Sequence, residues 1–285
     1  MIVKQNKKDI KPVIGIVGLG MVGGQVQKWF KSKKFKTLGY DKFKKIGKLE
    51  DVLMADIIFL CLPTPHKDDH HGGVDLSDFN KIIFIFKEPK IFVIKSTIPA
   101  GTTENLQKNF KKHYFFHSPE FLTEATAWKD FSKPVLQIIG YTGKSRKITK
   151  NILKILPPAK ETAAISATAS EIFKFVRNAF FAVKVIFANQ VYDLCEAYCV
   201  DYDQVKNLML SEPWIGGQHL EVIHKGYRGF GGKCLPKDLK TLIKTYKSKN
   251  ISPELFEIVD KINHNLLSRQ NLTKTLKNLW LENKS

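Results

Sequence analysis

Short apolar runs rich in β-branched residues alternate, through the first half of the chain, with stretches whose apolar positions recur every three or four residues. Residues 13–17, 37–40, 56–62, 91–95, 114–116 and 135–139 read as six strands, because near-continuous apolar runs of this length suit strands covered on both faces. Residues 22–30, after the first run, have helical spacing. The alternation over residues 12–140 predicts a doubly wound, parallel α/β sheet. Beyond it, residues 144–164 hold a helix-like piece and another strand, and residues 166–170 (SATAS) are a small-residue lead-in. Residues 171–198 then form one unbroken helical pattern without Gly or Pro. Apolar side chains ring much of it, which predicts deep burial by other helices or another subunit. Residues 202–210, 239–247, 253–267 and 271–282 read as further helices, and 213–227 as a glycine-containing loop with a short helix. The pattern divides the chain into an α/β domain, 1–165, and a helical domain, 166–285.

Hydrophobic residues make up 43% of the 285, enough for a sizeable core. The formal net charge of +19 suits anionic ligands, but the lysines are spread along the whole chain without a nucleic-acid-binding motif, so solvated faces explain most of them. No apolar stretch reaches membrane-spanning length and residues 1–11 are polar and Lys-rich, so a cytoplasmic protein without a membrane partner is expected. Cys61, Cys195, Cys199 and Cys234 have no disulfide-framework spacing, which suits a reducing compartment. Cys195 and Cys199, one helical turn apart, read as core residues.

The chemistry begins at the first strand. Gly18, Gly20 and Gly23 form GLGMVG between strand and helix, the context in which this motif binds a dinucleotide. Tight turn, close approach of the Met21 and Val22 amides to a pyrophosphate and close helix packing each need one of the glycines, and the helix N-terminus favours the phosphate charge. Asp41 ends the second strand, eighteen residues after Gly23. It stands where a carboxylate receives the adenosine ribose, which favours NAD over NADP, or else serves as a turn or cap residue. These features predict a Rossmann-type NAD site. His66, Asp68, Asp69, His70 and His71 match no metal signature, and no metal is expected. Lys174 and Asn178 lie four apart on one face of the long helix, and a lysine there needs a partner or a task. In GYRGFGGKCLPKD (226–238), glycines precede Cys234, and Pro236, Lys237 and Asp238 follow it. Such a loop delivers a thiol to a substrate, or else it is a surface loop with a buried, inert cysteine.

GFGGKCLPKD (229–238) resembles the active-site segment of the UDP-glucose/GDP-mannose dehydrogenase family. CLPTPHKDDHHGGVDLSDF (61–79), STIPAG (96–101), SPEFLTE (118–124) and SEIFKFVRNAFFAVKVIFANQ (170–190) are similar to other segments of that family. The resemblance implies a two-step, NAD-linked oxidation of a nucleotide-sugar alcohol to a uronic acid, with Cys234 as nucleophile. It implies catalytic roles for Lys174, Asn178, Asp238, Glu124 and Thr97, and cofactor contacts from Thr64, Thr97, Glu124 and Lys237. Substrate contacts are implied for Glu120, Phe121, Leu122, Lys174, Asn178, Tyr227 and Gly231, and a homodimer for the helix 171–198. Glu120 and Glu124, four apart, are expected on one side of a helical turn. Val135-Leu136 stands where the family commonly has Asp-Arg. Family members continue into a second Rossmann-like domain that grips the nucleotide, whereas this sequence ends at Ser285, as in a shortened form. The 6-phosphogluconate-type hydroxyacid dehydrogenases share the Lys/Asn pair but lack the cysteine, so a single-step dehydrogenase is the rival reading. A non-catalytic dinucleotide-binding subunit is another.

Overall fold

The computed structural model describes residues 11–65, 73–232 and 234–272. The chain splits into two compact units, with the division inside a long helix, between Ile172 and Phe173.

The first unit is built as β1 (Ile14–Val17), α1 (Met21–Ser32), β2 (Thr37–Tyr40), α2 (Leu49–Val52), β3 (Ile57–Leu60), α3 (Ser77–Ile85), β4 (Ile91–Ile94), α4 (Thr102–Asn109), β5 (Tyr114–His117), α5 (Ala127–Ser132), β6 (Leu136–Tyr141), α6 (Thr149–Ile155) and β7 (Glu161–Ser166). The seven strands form one sheet in the order β2-β1-β3-β4-β5-β6-β7. The order reverses around β1, with Ile14 aligned to Thr37 on one side and to Ile57 on the other. Successive residues of a strand face opposite layers: Ile57 and Phe59 enter one core with Phe30 and Phe116, while Ile58 and Leu60 enter the other with Phe92 and Phe115. All four residues of β1 and of β3 are buried, which accounts for their apolar runs.

One pairing departs from the expected parallel sheet: β6 is antiparallel to β5 and parallel to β7. The connection carries only α5, a six-residue helix. β6 therefore enters the sheet from the end where β5 leaves.

The long helix, α7 (Ala167–Ala197), starts earlier than expected, so residues 167–170 are its first turn rather than a lead-in. Their small size has a packing reason, since a Cβ on Gly140 would lie 2.7 Å from Ser170 Cβ and 2.9 Å from Ala167 Cα.

The second unit continues with α8 (Tyr202–Ser211), β8 (Ile223–His224), β9 (Tyr227–Arg228), α9 (Leu235–Lys247) and α10 (Glu254–Arg269). Phe175, Ala179, Ala182, Val185 and Ile186 of α7 pack with Phe230, Leu239, Leu242, Val259 and Leu266. Deep burial of α7 on all sides does not hold within one chain. Only part of its circumference meets α9 and α10, and Phe180 and Phe187 stay 57% and 53% exposed. Residues 213–227 contain no helix. They end in a hairpin in which Ile223 pairs Arg228 and His224 pairs Tyr227. Lys225 and Gly226 both take positive φ, 56° and 84°, the conformation whose twist matches a two-residue hairpin turn. The helix expected at 271–282 lies outside the described residues from 273 onward, as do the histidines and aspartates at 66–71.

Candidate active site

The turn after β1 is shaped by glycine. Gly18 has φ 88°, and a Cβ there would lie 2.4 Å from the Cys61 carbonyl oxygen. A Cβ on Gly23 would lie 1.8 Å from the Gly18 carbonyl oxygen. By contrast, nothing lies within 4 Å of a Cβ built on Gly20. The first amides of a helix have no intrahelical acceptor, so those of Met21 and Val22 are available to a phosphate on this open side.

Asp41 ties β2 to that turn. Its Oδ2 accepts from the Leu19 N–H at 2.7 Å, and its Oδ1 accepts from the N–H groups of Phe43 and Lys44 at 3.0 and 2.9 Å. Burial pushes this carboxyl up, but those amides and the Lys44 charge outweigh it and hold the group below its ordinary value. A carboxylate offers about four acceptor positions. Three are used, so the one left, on Oδ2 beside Leu19, suits a ribose hydroxyl. Asp41 is therefore both turn residue and candidate ribose acceptor. Lys44 Nζ donates to the Leu19 carbonyl oxygen at 2.8 Å, which occupies it within the turn. We expect Asp41→Ala to weaken NAD binding about tenfold or more, with a loss of roughly 2 kcal/mol in stability. Calorimetric titration and urea denaturation check the two effects.

Other candidates cluster at the C-terminal ends of β3 and β4, where α/β sheets hold ligands. Thr64 and Thr97 are half-buried there. Lys95 was not singled out from the sequence, yet it is buried, with Nζ 3.2 Å from the Ser118 hydroxyl and 3.4 Å from the Pro119 carbonyl oxygen. Burial raises the Cys61 thiol to about 12, so this cysteine stays neutral. Glu120 is half-buried and its Oε2 accepts from the Leu122 N–H at 3.2 Å, while Glu124 is exposed. The two do not share a helical turn. Asp130 Oδ2 accepts from the Thr123 N–H and the Thr126 hydroxyl, so α5 begins only at Ala127 and leaves Glu124 in a turn.

Glu171 is a further buried residue that spacing did not reveal. Its Oε2 accepts from the Gly101 N–H at 2.6 Å, and its Oε1 accepts from the Thr103 N–H and hydroxyl at 2.8 and 2.6 Å. It thereby fastens α7 to the start of α4, beside the loop that carries Thr97. Burial raises its carboxyl to about 7 despite these donors. The folded state thus binds the proton more tightly than the unfolded chain. The stability this group contributes is complete below its unfolded value near 4.5 and is lost as pH rises through 7. We expect Glu171→Gln to flatten that decline between pH 5 and 7, measured as the pH slope of the melting temperature.

In the second unit, Lys174 and Asn178 are buried, 6% and 5% exposed, on one face of α7. Asn178 Nδ2 donates to Asp238 Oδ2 at 2.6 Å, and Lys237 Nζ pairs with Asp238 Oδ1 at 2.7 Å. Asp238, 2% exposed, sits in the first turn of α9. Cys234 is the residue immediately before that helix, with its carbonyl oxygen accepting from the Asp238 N–H at 2.9 Å. None of the four cysteines is in a disulfide; Cys195 is a core residue as expected, but Cys199, beyond the end of α7, is exposed rather than core, and Cys234 is exposed too. A helix N-terminus stabilises an anion placed on it, which is what a reacting thiolate needs. Asn178, Lys237, Asp238 and Cys234 are thus held together, with half-buried Tyr227 and Gly231 on the approach.

Two models of one family match this chain: the UDP-glucose/GDP-mannose dehydrogenase family NAD-binding domain over residues 47–156, and its central domain over 168–265. The chain belongs to the UDP-glucose/GDP-mannose dehydrogenase family. It therefore carries the family's NAD-binding domain, and the glycine turn and Asp41, which lie ahead of the matched segment, fit that cofactor on geometry alone. A putative UDP-glucose 6-dehydrogenase of Bacillus subtilis is 32% identical over 223 residues, covering 73% of this chain and 50% of the relative. A UDP-glucose 6-dehydrogenase of Rhizobium meliloti is 28% identical over 228 residues, covering 75% and 51%. The chain thus spans about half the length of these curated relatives. Among solved structures, a UDP-glucose dehydrogenase from Pyrobaculum islandicum superposes with a TM-score of 0.78 at 23% identity, covering 93% of this chain and 70% of that one. A 3-hydroxyisobutyrate dehydrogenase from Mycobacterium tuberculosis has a TM-score of 0.72 at 15% identity, covering 91% and 94%. At these identities the superpositions establish the fold. Among the described residues no group of His, Cys, Asp and Glu is placed to hold a metal ion, and no helix is long and apolar enough to cross a membrane.

Proposed function

We propose that this chain oxidises the C6 alcohol of a nucleotide sugar, of the UDP-glucose kind, to a uronic acid in two NAD-linked steps through Cys234. The observation that carries the reading is the buried Asn178–Asp238 hydrogen bond beneath a helix that begins at an exposed Cys234. In this reading residues 1–165 are the NAD-binding domain and 166–285 the central domain with the cysteine loop. NAD supplies a hydride acceptor in each of two rounds. The first oxidation turns CH₂OH into an aldehyde. Cys234 Sγ then adds to the aldehyde carbon, forming a thiohemiacetal. Loss of the second hydride leaves a thioester. Water adds to the acyl carbon and the C–S bond breaks, returning the thiolate and releasing the carboxylate. One alcohol, two NAD⁺ and one water thus become one carboxylate, two NADH and three protons. Splitting the oxidation across a covalent intermediate replaces one hard step with easier ones. Lys174 and Asn178 stabilise oxyanion charge, and Asp238, Thr97 and Glu124 serve proton transfer. Gly18, Gly20, Met21, Val22, Gly23, Asp41, Thr64 and Lys237 serve the cofactor. Glu120, Phe121, Leu122, Tyr227 and Gly231 serve the sugar.

The test is stoichiometry across a panel of UDP- and GDP-sugars. Two NADH per acid support the reading. One NADH per carbonyl product supports instead a single-step hydroxyacid dehydrogenase. No NADH with any sugar, alongside intact NAD binding, supports a non-catalytic subunit.

The same reading includes a homodimer. Phe173, Val176, Phe180, Phe187 and Leu194 leave an apolar stripe on α7, 37–59% exposed in one chain, at the spacing of a helix–helix seam. Phe180→Lys with Phe187→Lys is expected to convert a dimer to a monomer in sedimentation at micromolar concentration. A monomeric unaltered chain removes this part of the proposal. Four thiols without a disulfide fit a cytoplasmic location.

A further inference from the structure

The segment leading to Cys234 is gripped by two side-chain amides of a helix that supplies none of the proposed catalytic groups. Asn263 Oδ1 accepts from the Phe230 N–H at 2.7 Å and its Nδ2 donates to the Phe230 carbonyl oxygen at 2.9 Å. Just past the end of α10, Gln270 Oε1 accepts from the Arg228 N–H at 2.9 Å and its Nε2 donates to the Arg228 carbonyl oxygen at 3.0 Å. Each amide thus reproduces the donor–acceptor pair that a neighbouring β-strand would offer, so residues 228 and 230 are held as though a strand ran beside them. Gln270 Nε2 also donates to the Leu266 carbonyl oxygen at 2.8 Å, which fixes its own orientation. Gly229 lies between the two gripped residues with φ 91°, and a Cβ there would lie 2.7 Å from Asn263 Oδ1. The glycine is required for the grip and not merely for flexibility. On the opposite side, the Arg228 guanidinium bonds Asn189 Oδ1 at 3.0 Å and Asp193 Oδ1 at 2.5 Å and lies over the Tyr192 ring. Asn263 is 4% exposed. An amide so buried, with both its polar ends spent on one backbone residue, fixes where that residue sits.

We propose that Asn263 and Gln270 are positioning residues that hold Cys234 at the N-terminus of α9, four residues beyond the last gripped position. The proposal rests on the reading of Cys234 as the reacting thiol, but its test does not need turnover. Alkylation by iodoacetamide is followed at Cys234 and, as an internal reference, at exposed Cys199, by peptide mass spectrometry across pH. In Asn263→Leu, isosteric but without polar atoms, we expect alkylation of Cys234 at neutral pH to slow about fivefold relative to Cys199, the loss of one or two hydrogen bonds, and its pH profile to move upward. Gln270→Leu, at the half-buried end of α10, is expected to give a smaller change in the same direction, and it serves alone if Asn263→Leu does not fold. A Cys234 rate and pH profile unchanged from the unaltered protein in whichever of the two variants folds, with hydrogen exchange at the Arg228 or Phe230 amide accelerated, overturns the proposal. If the profile moves but Cys234 proves dispensable for NADH production, the positioning stands and the catalytic reading falls.

Discussion

If the proposed reading holds, serine in place of Cys234 is expected to leave the chain able to release a first NADH from a nucleotide sugar and unable to release the second. A hydroxyl beside the same helix N-terminus remains protonated at neutral pH and adds poorly to an aldehyde. In that reading the thiohemiacetal is not expected to form, and the aldehyde lacks the sulfur adduct from which the second hydride departs. Asn178 and Asp238, joined at 2.6 Å, are untouched by the exchange, so binding and the first oxidation are expected to continue. Acid formation is expected to fall on the order of a thousandfold, with trapped aldehyde in its place and no adduct at residue 234 by mass spectrometry. Full turnover in the serine variant would sink the thioester mechanism and leave the single-step dehydrogenase as the better reading.

The second large effect lies in the glycine turn. Gly23→Ala places a methyl carbon 1.8 Å from the Gly18 carbonyl oxygen and 3.2 Å from Cys61 Cβ. The nearest of these atoms is backbone, so no side chain can swing aside, and α1 has to move off β1. We expect a loss of about 3 kcal/mol or more in stability, together with loss of measurable NAD binding, because the amides of Met21 and Val22 move with the helix. Gly24→Ala is the control. Its Cβ meets nothing nearer than the Leu19 carbonyl oxygen at 3.9 Å, and alanine favours a helix over glycine by about 1 kcal/mol. A Gly23 variant that melts and binds NAD like the Gly24 variant refutes the packing argument.

The strands were readable because burial on both faces forces a signal into the sequence, as in IGIV of β1 and IIFL of β3. The helices between them were harder. Among the residues of α4 (TTENLQKN), Leu106 is the single large apolar side chain, so periodicity has nothing to report. The β8–β9 turn uses Lys225 in the left-handed region rather than asparagine, and its hairpin was read as a loop with a short helix. Glu120 and Glu124 had helical spacing, but α5 starts only at Ala127, behind the hydrogen bonds that Thr123 and Thr126 donate to Asp130. Within the candidate site, Cys234, Lys174, Asn178 and Asp238 announce themselves by residue type and local motif. Glu171 and Asn263 do not. Their partners lie 70 and 33 residues away, and a buried carboxylate or amide becomes meaningful only once the fold has closed around it.

The three hydrogen bonds that Asp41 accepts have a kinetic consequence. They hold the glycine turn and the end of β2 in one arrangement before any dinucleotide arrives, so the adenosine half of NAD bound as proposed would meet a preorganised cradle. Little chain entropy is then lost at that step, and the encounter does not wait on a loop to rearrange. Stopped-flow mixing with excess NAD should show a single phase whose rate rises linearly with concentration, as for a rigid receptor. In Asp41→Ala, where the turn has to be ordered by the ligand itself, the same trace should curve toward a plateau set by that ordering.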